Sequence, residues 1–213
     1  LYGGRLEGDA KLDVNSRRVS ANAWLNFDVH KASDVMTEGG RRWLGQFSWS
    51  TPPEVSATAA ATLPSWTNKA PDWRGEVLPT LSLSGRFEGT NGAGYKGLEA
   101  LSGSSHFIYS NMTWRLPDLV LNRPEGRLVA EHVANDRTRD YYWKLHSTID
   151  PGIIRPLLKT NETRGLDLLE LSSPPEIHAE VWGRFHRYDL LCARAHAVGT
   201  NLSFRGQSAS RVE

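Results

Sequence analysis

Apolar and polar side chains alternate along most of this chain. In residues 5–14, RLEGDAKLDV, every second position from Leu6 to Val14 is apolar or glycine, and the positions between them are charged. A period of two is that of a β-strand with one dry face and one solvated face. A polar turn separates this segment from a second alternating one at 19–29, so the pattern predicts a hairpin of two long strands.

The same alternation predicts nine further strands. They are the segments 54–63, 81–89, 104–111, 113–123, 124–136, 137–150, 176–186, 188–198 and 201–213. Pro117 interrupts the fourth of these, and the glycines of 91–97 are typical of a turn. The segment 62–80 carries three prolines and two tryptophans without a clear period, which favours a long hairpin arm or a loop.

Two segments lose the alternation, and we predict helical content only there. In the first, 31–47, the apolar residues are spaced as in a short helix or a packed loop. The second, 150–159, opens with Asp150 and Pro151, which are favoured at the N-cap and at the first helical position. Pro156 is expected to bend this helix.

The chain also carries an internal repeat. The tetrapeptide PPEV at 52–55 returns as PPEI at 174–177, an offset of 174 − 52 = 122 residues. Without gaps, the same offset aligns the tripeptide GRL at 4–6 with the one at 126–128. Two strands, a helical excursion and a double proline follow in the same order in both places. This periodicity predicts one structural unit seen nearly twice.

We therefore predict that residues 1–79 form the C-terminal portion of one repeat module and that residues 80–213 form most of a second. The predicted fold is all-β: a long, mostly antiparallel, twisted and groove-like sheet with short helical excursions between runs of strands. Each double proline is expected to end an excursion and start a strand, because proline fixes its own backbone and extends the residue before it.

Composition excludes several classes of protein. Hydrophobic residues make up 39% of the chain and charged residues 23%, which is typical of a folded protein. A formal net charge of +1 gives no reason to expect nucleic acid as a partner. No apolar run approaches the length that spans a bilayer. Because the chain starts with Leu1 inside an alternating pattern, we expect a segment of a longer protein whose targeting signals lie elsewhere.

The residue types that carry catalysis or bind metals do not occur in this sequence at spacings that would form a site. Cys192 is the only cysteine, and it cannot form an internal disulfide or a thiolate metal site alone. His178 and His186 share a strand face, but they are eight residues apart, too far to bind one metal ion. We therefore predict a protein that is not an enzyme and that has no metal and no cofactor.

Two alternative functions have some support in the sequence. Trp24 and Trp182 fall on the polar side of their strands, where aromatic rings can bind sugars or other proteins. This favours, as the main alternative, an extracellular β-sandwich or adhesin-like module that binds glycan or protein through exposed tryptophans. A glycosidase would need paired carboxylates, and the acids available for it are Glu125, Glu131, Asp136 and Asp140.

Several segments taken together carry a family resemblance. SGRFEG at 84–89, the strand FIYSNMTWRLPDLVLNRPEG at 107–126, a short Ile/Leu helix and PPEIHAEVWGRF at 174–185 resemble the AsmA-like superfamily, which includes TamB- and YhdP-type proteins. Members are large proteins of the bacterial cell envelope. An N-terminal helix anchors them in the inner membrane, and a long twisted sheet with an apolar groove extends through the periplasm, where it is implicated in phospholipid transport.

The resemblance implies a non-enzymatic segment that carries or shields phospholipid acyl chains between membranes. Its partners would be phospholipid or another lipid and neighbouring β-repeats of the same longer chain. Its location would be the periplasm of the bacterial cell envelope, with the inner-membrane anchor in a part of the protein outside this segment. The implied groove-lining residues are Leu6, Leu12, Val19, Leu25, Phe27, Leu83, Phe87, Leu145, Ile149, Val181 and Phe185. Alternation alone does not separate such a groove from a closed sandwich core, because both give strands with one apolar side.

Overall fold

The computed structural model of this chain describes residues 3–157, 169–171, 173–204 and 207–212. Strands hold 60% of the chain and helices 14%, so the all-β prediction is confirmed. The strands of the described residues are β1 (Leu6–Asp13), β2 (Arg18–Leu25), β3 (Phe47–Trp49), β4 (Glu54–Thr62), β5 (Ser82–Tyr95), β6 (Leu98–Ser110), β7 (Thr113–Arg123), β8 (Gly126–Asn135), β9 (Asp140–Ser147), β10 (Leu169–Leu171), β11 (Glu176–Arg184), β12 (Arg187–Phe204) and β13 (Gln207–Val212).

Eleven of these strands form one continuous antiparallel path. Its order is β1-β2-β4-β5-β6-β7-β8-β9-β11-β12-β10, and β3 pairs with β5 while β13 pairs with β12. Within the described residues, β1 at one end of the path pairs only with β2, so the sheet does not close on itself. The predicted long antiparallel sheet is therefore confirmed, and its open form, which alternation alone did not decide, is a finding of the structure.

The register of the strands gives the sheet two chemically different faces. Leu6 pairs with Leu25, Leu25 with Val55, and Val55 with Phe87. Directly paired residues lie on the same side of a sheet, so this row and every second residue from it form the surface that we call the apolar face. The residues between them, such as Glu7, form the polar face.

Both predicted helical excursions are present. The first consists of a 3₁₀ helix, Val29–Val35, and an α-helix, α1 (Glu38–Leu44), whose N-cap Thr37 accepts a hydrogen bond from a backbone N–H. The second is the 3₁₀ helix Pro151–Leu157, and the Asp150 carboxylate accepts a hydrogen bond from the second helical residue. Residues 158 and 159 of the predicted helix lie outside the described residues.

The prediction that helices occur only in those two excursions was wrong. A π-helical turn, Trp73–Val77, and a 3₁₀ helix, Leu78–Thr80, follow each other inside the segment predicted as a hairpin arm or loop. The carboxylate of Asp72 accepts hydrogen bonds from two backbone N–H groups of the first turn and so caps it. An aspartate that satisfies the free N–H groups of a helical turn stabilises that turn.

The turn predicted at 91–97 is confined to the last two residues of that segment. Asn91 and Gly92 adopt positive φ angles of 65° and 82°, and they form a bulge at which β5 shifts its register against β6. The strand continues past this bulge, and the chain reverses only at Lys96 and Gly97, which also have positive φ. A bulge adds a residue and bends the strand without ending it.

Other strand bounds also differ from the prediction. The short strand β3 starts at the end of the first predicted excursion, and β10 lies in a segment for which no strand was predicted. β12 continues to Phe204, so it does not end near residue 198 as predicted. Pro117 interrupts β7 as predicted, since the register of β7 against β8 shifts between Leu116 and Leu119. Because proline lacks an N–H group, it breaks one rung of the ladder there.

Structural elements recur at the offset of 122 residues. The first and last residues of β9, β10 and β11 are each 122 positions after those of β2, β3 and β4. The 3₁₀ helices Val29–Val35 and Pro151–Leu157 are separated by the same number. Each double proline ends one residue before a strand, Pro53 before β4 and Pro175 before β11.

Hydrogen bonds of the connections recur as well. The Arg5 N–H donates to the side-chain oxygen of Asn26 over 2.7 Å, and the Arg127 N–H donates to the hydroxyl of Thr148 over 3.0 Å. Both members of the second pair lie 122 residues after those of the first. The two parts of the chain therefore share local structure, whereas a module boundary near residue 79 stays a prediction.

Candidate functional site

The apolar face is buried at its centre and exposed toward its edge. On the central strands, Tyr109, Leu119 and Ala130 are 1%, 9% and 2% exposed. On β1, at one end of the sheet, Leu6 and Leu12 are both 49% exposed. A second sheet packed over this face would bury such residues from edge to edge. The exposed leucines therefore indicate that no second layer formed by the described residues covers the apolar face at β1.

The total surface area agrees with an open single sheet. The chain exposes 14078 Å² for a mass of 23.8 kDa. A compact monomer of this mass exposes about 9,900 Å². The exposed area is roughly 40% larger than that of a compact monomer. Much less of the chain is therefore buried than in a closed domain of equal size.

The structure places all the predicted groove-lining residues on or beside the apolar face. Phe27 and Ile149 follow β2 and β9 at corresponding positions of the repeat, and Ile149 is 4% exposed. Phe185 lies in the β11–β12 turn, with its ring 4.8 Å from that of Tyr141. The others lie within strands on the apolar face: Leu6, Leu12, Val19, Leu25, Leu83, Phe87, Leu145 and Val181. What these residues bind stays a prediction.

Tyr109 is one of the residues of the apolar face that sequence reasoning missed, together with Leu119 and Ala130. Its ring lies 4.7 Å from that of Trp114, and its hydroxyl donates a 3.1 Å hydrogen bond to the carboxylate of Asp136. Burial and this carboxylate raise the pKa of Tyr109 to about 12. The alternation 104–111 places Tyr109 on the apolar side, but only the position of β6 at the middle of the sheet makes it the most deeply buried large side chain.

Residues 63–81 connect β4 to β5, and we call this segment the arm. It lies along one end of the sheet. The indole N–H of Trp66 donates a 3.0 Å hydrogen bond to the carbonyl of Val14, beside the β1–β2 turn. Farther along the arm, Arg74 and Leu78 line a depression together with Phe185 of the β11–β12 turn. The arm therefore contacts the β1–β2 turn and lies near the β11–β12 turn.

His132 is a titratable group on the apolar face. Its ring stacks on that of Trp143 with centroids 3.8 Å apart, and its Nδ1–H donates to the carbonyl of Tyr142 over 3.1 Å. Burial lowers the pKa of His132 below its ordinary value of 6.5, and the hydrogen bond offsets only part of this effect. The folded protein therefore favours the neutral imidazole.

This burial predicts a specific dependence of stability on pH. Between the ordinary pKa near 6.5 and the lowered pKa in the folded state, the unfolded chain binds more protons, so the free energy of unfolding falls as the pH falls. Glutamine does not titrate. When the pH is lowered from about 7.5 to about 5, we therefore expect the free energy of unfolding to fall less for His132→Gln than for the wild type. Urea unfolding of both proteins at the two pH values measures this. Equal losses in the two proteins would contradict it.

The polar face carries cross-strand pairs of opposite charge. Arg184 bonds to Asp140 on the neighbouring strand over 2.8 Å, and Arg194 bonds to Glu180. Each arginine lowers the pKa of its carboxylate partner, chiefly through the hydrogen bond. All four side chains belong to neighbouring strands of one sheet. This face therefore shows solvated cross-strand pairs of the ordinary kind.

The geometry gives little support to the alternative functions. Trp24 on β2 and Trp182 on β11 are seven strand steps apart in the sheet, roughly 34 Å along it, so they do not share one sugar-binding platform. Glu125 and Asp136 flank opposite ends of β8, roughly 36 Å apart. Glycosidases need carboxylates within about 10 Å of each other.

Cross-strand register brings together one cluster that distances along the chain do not reveal. His146 on β9 lies directly opposite His178 on β11, and Glu176 is two residues before His178. The expectation of no metal site considered only His178 and His186 on one strand. It missed the histidine on the neighbouring strand, because strand order is not contained in the spacing of residues along one segment.

Comparisons with known proteins add no identification. No family model matches the chain, and neither the curated proteins nor the solved structures contain a match. Among the described residues, no helix combines the length and the apolar character needed to cross a bilayer. The resemblance to AsmA-like proteins therefore stays a prediction.

Proposed function

We propose that the apolar face holds acyl chains of phospholipid or a similar lipid and shields them from water. The chain would act as a non-enzymatic segment of a longer cell-envelope protein that carries lipid between membranes. One observation supports this most directly: a single open sheet presents a continuous apolar face that stays exposed toward its edge. An exposed apolar surface of this extent is typical of a binding site.

The chemistry of the face suits an acyl chain. Its rows are mainly aliphatic and aromatic side chains, with many alanines such as Ala21, Ala23, Ala57 and Ala59, and they also include His132. An acyl chain is stabilised by contact with apolar surface and needs no directional partner, at about 25 cal/mol for each Å² removed from water. Small side chains leave room beside the larger Leu and Phe residues for such a chain.

We also propose that the sheet continues into neighbouring β-repeats of a longer protein in the bacterial periplasm. β8 corresponds to β1 at the 122-residue offset, and β8 pairs with β7 on the side away from β9. The equivalent side of β1 would accept a strand like β7 from another repeat. Such pairing would extend the apolar face and satisfy the backbone groups of β1.

The test replaces Phe87, which lies half-buried on the apolar face of β5. Phe87→Glu puts a carboxylate where acyl chains would lie. We expect the variant to fold with a loss of about 1–3 kcal/mol, because water can reach the new charge on an open face. Mass spectrometry of lipids that copurify should find phospholipid with the wild type and much less with the variant.

Ser84→Glu is the matched control, since it adds the same charge to the same strand on the exposed polar face. It should keep the wild-type amount of lipid. Wild-type protein without copurified lipid and without binding of a phospholipid that carries a fluorescent acyl chain would contradict the proposal. A Phe87→Glu variant that fails to fold would instead indicate a closed apolar core.

A further inference from the structure

The polar face carries a compact group of metal-binding side chains on β9 and β11. His146 Nε2 lies 3.1 Å from Glu176 Oε1, and His178 Nε2 lies 3.4 Å from the same oxygen. One potential ligand atom from each of the three residues lies within 4.8 Å of the other two. Their side chains are 44%, 56% and 56% exposed, so an ion can reach them from solvent.

We propose that His146, Glu176 and His178 bind a divalent transition-metal ion, with Zn²⁺ as the best fit. Two imidazole nitrogens and one carboxylate oxygen are a ligand set that Zn²⁺ accepts, with a fourth position left for water. The ion would join β9 to β11. This site lies on the opposite face from the proposed lipid surface and does not depend on it.

The distances fit a tetrahedral site with one small adjustment. Two ligands at about 2.05 Å from Zn²⁺ in tetrahedral geometry are about 3.3 Å apart. The two contacts between the histidines and Glu176 are already at that separation. The rings of His146 and His178 are nearly parallel, 10° apart with centroids at 4.3 Å. Rotation of the exposed rings about their side-chain bonds would direct one nitrogen of each ring at the same ion.

The sheet supplies the spacing that the single strand lacks. Glu176 and His178, two residues apart on β11, point to the same side. His146 is the direct cross-strand neighbour of His178, and such pairs have Cβ atoms about 4.5–5.5 Å apart. The site is therefore a triangle of one i, i+2 pair and one cross-strand residue.

The first copy of the repeat contains the same triangle without the imidazoles. Trp24, Glu54 and Ser56 occupy the positions 122 residues before His146, Glu176 and His178, and Trp24 is the direct partner of Ser56. The indole N–H of Trp24 donates to Glu54 Oε1 over 2.8 Å. In both copies the glutamate carboxylate is therefore hydrogen-bonded to a ring nitrogen of the residue on the neighbouring strand. An indole, however, cannot bind a metal ion.

This correspondence provides a variant whose residues this fold already accommodates. His146→Trp combined with His178→Ser gives the second copy the residues of the first. We expect calorimetric titration with ZnCl₂ to show one ion bound per wild-type chain and none at this site in the double variant. Zn²⁺ should also raise the melting temperature of the wild type but not that of the double variant.

Two further measurements separate this site from adventitious binding. His106→Gln removes a histidine of the polar face that pairs with Asp118 on β7, and it should leave Zn²⁺ binding unchanged. MgCl₂ should not bind, because Mg²⁺ prefers an octahedral set of oxygen ligands. Wild-type protein that binds no Zn²⁺ would overturn the proposal, and so would binding that persists unchanged in the double variant.

Discussion

Replacing Tyr109 with alanine should destabilise the protein by about 3–5 kcal/mol, the usual loss when a buried aromatic side chain is truncated in a packed interior. Tyr109 is 1% exposed, and its ring contacts that of Trp114 at 4.7 Å. Few large apolar side chains are buried among the described residues. The cavity that Tyr109→Ala leaves at the centre of the apolar face therefore removes a large part of the packing between buried side chains. Urea unfolding followed by circular dichroism measures the loss, with the midpoint and slope analysed together.

Two companion variants separate the contributions of the ring and the hydroxyl. Tyr109→Phe keeps the ring and removes only the hydrogen bond to Asp136, so it should cost about 1 kcal/mol. Tyr95→Ala removes a tyrosine that is 40% exposed and should cost about 1 kcal/mol or less. Similar stabilities for Tyr109→Ala and Tyr95→Ala would show that the centre of the sheet is not the packed core.

Gly126→Ala should destabilise the protein by about 3 kcal/mol, at the upper end of the range for overpacking. A Cβ atom on Gly126 would lie 2.1 Å from the backbone oxygen of Thr148. That oxygen cannot move freely, because hydrogen bonds tie both the backbone N–H and the hydroxyl of Thr148 to Arg127. The methyl group would therefore force β8 and β9 apart where β9 leads into the second excursion.

The repeat and helix α1 supply controls for this variant. Gly4, the equivalent of Gly126, would place its Cβ 2.6 Å from backbone atoms of Phe27, but it precedes the edge strand β1, which can shift more easily. Gly4→Ala should therefore cost less than Gly126→Ala. Gly39→Ala meets no atom within 4 Å and should be neutral or stabilise α1 by up to about 1 kcal/mol. Thermal unfolding of the three variants tests this order, and a harmless Gly126→Ala would contradict the close approach.

Several features of the fold follow from the sequence alone. The period of two in 5–14 and 19–29 identified two strands and the side of each that is apolar, because side chains on a strand alternate between its faces. The agreement between 52–55 and 174–177 identified an offset at which strands and hydrogen bonds of the structure recur. These are local properties, so a single sequence contains them.

Turns and short helices were less predictable, since they depend on a few backbone groups. The bulge at Asn91 and Gly92 has the composition of a turn, but its neighbours continue to pair with β6. The helical turn after Asp72 depends on one capping carboxylate within a segment rich in proline. Pairing with β6 decided the conformation at the bulge, whereas the helical turn depends on a local cap that composition alone does not reveal.

Strand order and register were decided only by the tertiary structure. They place Tyr109 at the middle of the sheet and Leu6 at its edge, although both belong to alternating segments with the same apolar pattern. They also bring His146 beside His178, which are 32 residues apart in the sequence. The physical reason is that alternation specifies which side of a strand is apolar, whereas the neighbours of a side chain depend on which strands pair and in which register.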